Sequence, residues 1–235
     1  MDGTRLLEIE TRLDEVAVTS LSNPPKWPAA ACFLGARALT IDRGIRACVA
    51  VPASAAVQIL LRSLVDLAIL VDWIAQDPGR RVVLWEAESE RESATYIREA
   101  VDLGLIAFLG LDEVEAKRVC DAKMEQVARA RQMAGIGPKD RLLPFTDKMA
   151  EQLGREERRQ LYTGLLRTSS AYTHSSATSF AEMAMLGNSE GPLRNPEEVR
   201  KTAVALLARV MGSVSRASGL GIESECDRLL AELVG

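Results

Sequence analysis

The sequence predicts an all-α protein, a single-domain helical bundle of about seven or eight helices over residues 1–235. Three observations carry that expectation. Ala, Leu, Arg and Glu are abundant and aromatics are only 4%, so helix formers outnumber the residues that strands favour. Apolar residues recur at helical spacing in successive segments. Proline and glycine clusters fall between those segments.

The first helix is expected from about Thr4 to Leu21, stopping at Asn23-Pro24-Pro25. A second, from about Pro28 to Val51, places Leu34, Ala38, Ile41, Ile45 and Cys48 on one face, and Pro52 ends it. The third, roughly Ala55 to Gln76, is apolar nearly all round and belongs at the centre of the fold. Asp77-Pro78-Gly79 then turns the chain. From Arg80 to about Leu109 a long charged helix is expected, with the stretch Trp85 to Arg91 largely solvated. Another follows from about Asp112 to Met133, before a loop at Gly135-Ile136-Gly137-Pro138-Lys139-Asp140. A shorter helix begins after Thr146, and Glu156 to about Ser175 reads as helix again. A second loop, Gly187 to Pro192, precedes Asn195-Pro196, an Asn cap with Pro at the first helical position. The helix from Pro196 to Ser218 carries Ala203, Leu207, Val210 and Val214 on one face, and a last short helix covers Glu223 to Leu233. No linker is long or polar enough to divide the chain, hence the single domain.

Charge and cysteine content narrow the function classes. A net charge of −4 offers no general attraction to phosphate, so any contact with nucleic acid needs a local basic patch. The four cysteines, Cys32, Cys48, Cys120 and Cys226, have no C-x-x-C spacing and lie far in sequence from the one histidine, which argues against zinc and against a disulfide framework. The longest apolar stretch, Ile59 to Ile74, is broken by Arg62, Asp66 and Asp72, whereas a membrane span wants about 20 apolar residues. The polar start, Met1-Asp2-Gly3-Thr4-Arg5, is unlike a secretory signal. No membrane association, no cofactor and a cytoplasmic location are the expectations.

Two constellations ask for an explanation. In the most apolar helix, Arg62 and Asp66 are four residues apart and neighbours on one face, with Gln58 and Trp73 on the same stripe. Either they form a buried ion pair that locks helix packing, or they line a polar cleft; both readings require that they touch. The second is the segment from Arg167 to Ser176. At 100° per residue, Arg167, Ser170 and His174 fall within roughly 60° of one another. Leu161, Leu165 and Tyr172 group on the opposite face, Tyr172 adding one more polar group to the candidates. His174 is the only histidine, so any His-based acid–base chemistry within a subunit falls to it. A solvated face or a capping cluster is the plain alternative, since Ser and Thr collect at helix ends.

The same two segments carry a resemblance. Leu60-Leu61-Arg62-Ser63-Leu64-Val65-Asp66, followed by Trp73-Ile74 and Asp77-Pro78, resembles the central helix of a bacterial family known as domain of unknown function 5677. That family also has a later helix with tyrosine, arginine, serine and His-x-Ser, matched here by Tyr162, Arg167, Ser170 and His174-Ser175-Ser176. Asp66 stands where the family usually has Glu. Arg167 and His174 enclose six residues, similar to the Arg-x4–6-His signature of the HEPN superfamily (higher eukaryotes and prokaryotes nucleotide-binding). Ser169 departs from the Asn, Asp or His often found there in HEPN nucleases. The resemblance implies a HEPN-like helical bundle, a homodimer, and a metal-independent ribonuclease or RNA-binding protein of toxin–antitoxin or phage-defence type, with RNA and a cognate antitoxin as partners. In it Arg167 and His174 are catalytic, supported by Ser170, Arg62, Asp66 and Tyr172. A non-enzymatic helical binding module and an enzyme acting on a small phosphorylated molecule are the alternatives.

Overall fold

The computed structural model describes residues 26–49, 54–166 and 196–234. Among them are eight α-helices and no strand, so the all-α expectation holds. In chain order these are α1 (Lys26–Val49), α2 (Ser54–Gln76), α3 (Pro78–Asp102), α4 (Glu113–Ala134), α5 (Thr146–Leu153), the single turn α6 (Arg155–Glu157), α7 (Pro196–Ser218) and α8 (Glu223–Val234). A 3-10 turn, Ile106–Leu109, precedes α4, and a π-helix, Arg158–Leu166, continues from α6. The helix expected from Thr4 to Leu21 lies outside the described residues, as does the part of the Glu156–Ser175 helix beyond Leu166.

The chain groups into two compact units, Met1–Gln76 with Thr146–Gly235, and Asp77–Phe145. In unit 1, α2 and α7 are the hub. α7 packs on α1, α2 and α8, while α2 also packs on α1, α5 and the π-helix. Leu64, Ile69 and Ile74 of α2 are fully buried with Leu34 and Ile45 of α1 and Leu207 and Met211 of α7. Central placement explains why α2 is apolar almost all round: it has a neighbour on nearly every side. A four-residue connection makes α1 and α2 an antiparallel pair, and Gly44 faces Leu60, whose Cδ1 lies 3.0 Å from where a Cβ would stand.

Unit 2 is a helical hairpin. Ala87, Ala94 and Ile97 of α3 and Ala116, Val127 and Ala130 of α4 are buried in its seam, where alanines let the backbones approach closely. Lys123 Nζ meets Glu90 Oε2 at 2.5 Å across the hairpin, and Cys120 Sγ lies 3.4 Å from the Ala94 carbonyl. The stretch Trp85 to Arg91, expected to be largely solvated, is therefore partly in the seam: Ala87 is buried and Glu88, Glu90 and Arg91 are half-buried. The long helix also ends earlier than expected. Gly104 adopts φ 68°, and the Leu105 and Gly104 amides close back on the carbonyls of Ala100 and Val101, which stops α3 at Asp102.

Candidate functional site

Arg62 and Asp66 do touch. Arg62 Nε lies 3.7 Å from Asp66 Oδ2, and both side chains are half-buried at the edge of the core, not sealed within it. Thr146, at the start of α5, gives the Asp66 carboxylate a further hydrogen bond. Burial raises the Asp66 pKa above the ordinary aspartate value, and the Arg62 charge and the Thr146 hydroxyl oppose that rise. Gln58 is half-buried; Trp73 is buried and donates its indole N–H to Gln152 Oε1 at 2.7 Å. That bond ties α2 to α5 within unit 1.

A second pair sits on α1. Asp42 is almost fully buried, and Arg46 Nε approaches its Oδ2 at 3.0 Å. The two are close but misaligned: among the described residues Arg46 Nε has no directed hydrogen bond and Asp42 Oδ1 has no partner. A buried bare carboxylate oxygen is costly. Gly44 faces Leu60 across the antiparallel α1–α2 pair, so Asp42, two residues before Gly44, sits level with Arg62, two residues after Leu60. On α7, Arg200 Nη1 is likewise buried without a partner among the described residues. Unit 1 thus concentrates charged groups of both signs in and at the edge of its core.

A third cluster joins α2 to α7. Asp72 accepts from Arg209 Nε and, at 2.9 Å, from the buried Ser213 hydroxyl. Arg216 donates to Ser213 Oγ at 3.2 Å. These residues line a cleft of about 400 Å³ with Gln76, Leu153 and Leu230. Sequence reasoning noted Asp72 only as an obstacle to a membrane span and missed Arg209, Ser213 and Arg216. They recur at i, i+4 and i+7 on α7, roughly 120° around the helix from its apolar stripe, and so were findable by the spacing that picked out Arg62 and Asp66. Asp42 and Arg46 share that i, i+4 spacing too.

Arg167, Ser170, Tyr172 and His174 lie outside the described residues. The segment that leads into Arg167 is the π-helix, which packs on α2 and α5; its Leu161 is buried and its Tyr162 half-buried. A π-helix is rare, and short π segments are frequent at functional sites.

No family model, curated protein or solved structure matches the chain. Among the described residues no three His, Cys, Asp or Glu side chains gather into a group able to hold a metal ion, and no helix is long and apolar enough to cross a membrane.

Proposed function

We propose that this protein is a HEPN-like RNA-binding or RNA-cleaving protein that works as a homodimer, with Arg167 and His174 as its reacting pair. The observation that carries the reading is the seat of the π-helix Arg158–Leu166. The chain enters the Arg167–His174 segment directly from an element packed on α2, the helix on which Arg62 and Asp66 meet at a half-buried edge.

The chemistry follows from the residue types. RNA carries its own nucleophile, the 2′-hydroxyl, beside the phosphorus it attacks. His174 of one copy takes the 2′-hydroxyl proton as the oxygen bonds to phosphorus. Arg167 stabilises the charge on the non-bridging oxygens of the crowded phosphorus centre. The bond to the 5′-oxygen breaks, and that oxygen receives its proton from the partner's His174, leaving a 2′,3′-cyclic phosphate and a 5′-hydroxyl. One imidazole cannot fill both proton roles at once, which is why a two-fold dimer suits the reaction.

Incubation of the purified chain with a mixed RNA pool in EDTA tests this. Wild type is expected to leave cyclic phosphate ends, and His174→Ala to lose cleavage by about 10²-fold or more. Equal cleavage by the two proteins would remove His174 from the mechanism. A non-enzymatic binding role draws on a different observation, the concentration of exposed apolar side chains in unit 2.

A further inference from the structure

The hairpin of unit 2 ends in an apolar tip. Of the ten large apolar side chains exposed among the described residues, eight lie in this unit. At the tip Phe108 and Val114 are 87% and 81% exposed, with Leu103 and Leu105 exposed beside them. The backbone that presents them is fixed at both ends. Gly104 and Gly110 hold the left-handed conformation, the Leu105 amide returns to the Ala100 carbonyl at 2.7 Å, and Asp112 caps α4 by accepting from the Glu115 amide at 2.8 Å. Apolar side chains displayed on an ordered turn, against a polar surround, mark an association surface.

Charge selects the occupant. Between Arg98 and Lys117 the chain has no Lys or Arg but five carboxylates, Glu99, Asp102, Asp112, Glu113 and Glu115. Such a tip repels nucleic acid, anionic lipid and an identical tip. The opposite end of the same hairpin has the complementary character. A recess of about 190 Å³ there is walled by Arg91, Arg131, Lys139 and Arg141 against Glu88 and Asp140. Both carboxylates are already engaged: Glu88 by Arg91 at 2.6 Å, and Asp140 by the Gly137 amide at 3.0 Å. Exposed apolar groups accompany this basic end as well, Met133 and Phe145, the latter under the Arg141 guanidinium at 3.7 Å.

One hairpin therefore has an acid-rimmed apolar end and a base-rimmed apolar end. Two copies laid antiparallel match tip to base twice about a single two-fold axis, which closes the assembly. We propose that the tip docks on the basic end of the hairpin in a second copy of this chain, forming a homodimer through unit 2. Hairpin pairing is independent of whether Arg167 and His174 cut RNA, because it is read as mass and not as activity.

The test is sedimentation equilibrium of the full chain over a range of concentration and salt, with charge-reversed variants. Glu99→Lys with Asp102→Lys nearly neutralises the tip while placing cations at a helix C-terminus, where the helix dipole favours them. Lys139→Glu with Arg141→Glu reverses the base. Wild type is expected to dimerise more weakly as salt rises, and each pair of changes to weaken dimerisation by about tenfold or more. Circular dichroism melts identify any variant that fails to fold, and Phe108→Ser, at an exposed position, then supplies a reversal-free variant with the same expected loss. A monomeric wild type overturns the proposal, and so does one that floats with zwitterionic vesicles without dimerising. A dimer indifferent to both reversals overturns it equally, and moves the dimer seam away from the hairpin.

Discussion

At Asp66 two effects of opposite sign meet, and their balance is measurable. Burial raises the pKa of this carboxyl, and the Arg62 charge with the Thr146 hydroxyl opposes the rise without cancelling it. The folded chain thus holds this proton to a higher pH than the unfolded chain does. The stability linked to it is complete below the unfolded aspartate value and is lost as pH climbs through the raised, folded one. Asp66→Asn, which mimics the protonated form, is expected to melt above wild type at neutral pH and to converge with it as pH falls into the aspartate range. Thermal melts across that window check this; a variant melting lower at neutral pH would show that the pair with Arg62 outweighs desolvation. The contact between Arg62 and Asp66 was legible because two opposite charges four residues apart in an apolar helix have little else to pair with. The misalignment of Asp42 and Arg46 was not legible, since spacing reports proximity and not the direction of a hydrogen bond.

Among the elements, the hairpin shows how a charged sequence can still be a packed one. Glu90 and Lys123 are both half-buried and meet at 2.5 Å across a seam otherwise made of alanine and aliphatic side chains. Removing one partner strands the other in a partly dry site. Lys123→Ala is expected to cost about 1–2 kcal/mol, less than the roughly 3–5 kcal/mol for a fully buried pair because both groups retain some water. Glu90→Leu combined with Lys123→Met should recover most of that loss, since nothing charged is then left behind. Urea unfolding of the two variants decides it, and an uncharged pair no better than Lys123→Ala would assign the cost to lost packing. The sequence concealed this seam because Trp85 to Arg91 is dense in charge, and side chains such as Glu90 contribute their stems to a contact their heads seem to forbid. Helix starts and stops were easier. Pro196 and Ser218 bound α7 as expected, because a proline at a helix start acts locally. At Leu103 to Leu109 the run of apolar residues imitated a continuing helix, and a single glycine at φ 68° overruled it.

On the scale of the whole chain, unit 2 interrupts unit 1: the hairpin occupies Asp77–Phe145, and the segments on either side belong to one compact unit. Sequence pattern cannot show such an insertion, because Asp77-Pro78-Gly79 reads like any other turn and neither junction carries a linker. The two flanks are bound directly to each other. Trp73 bonds Gln152 at 2.7 Å, Gln76 reaches the Gln152 carbonyl at 3.4 Å, and Thr146 bonds Asp66, so α5 lies along the second half of α2 inside unit 1, its start beside Asp66 and its end beside the end of α2. The core of that unit is centred on Leu64, Ile69, Leu207 and Met211. Replacing residues 77–145 by a Gly-Ser connection long enough to run back from Gln76 to Thr146, about 15 Å for the ten residues of helix between Asp66 and Gln76, is expected to leave a chain that is helical and melts cooperatively, since closing a loop of that length costs little entropy. Loss of the cooperative melt would mean that the α2–α5 contacts depend on the hairpin. A folded deletion that still dimerises as wild type does would place the two-fold seam in unit 1, where the Arg167 and His174 segment is carried.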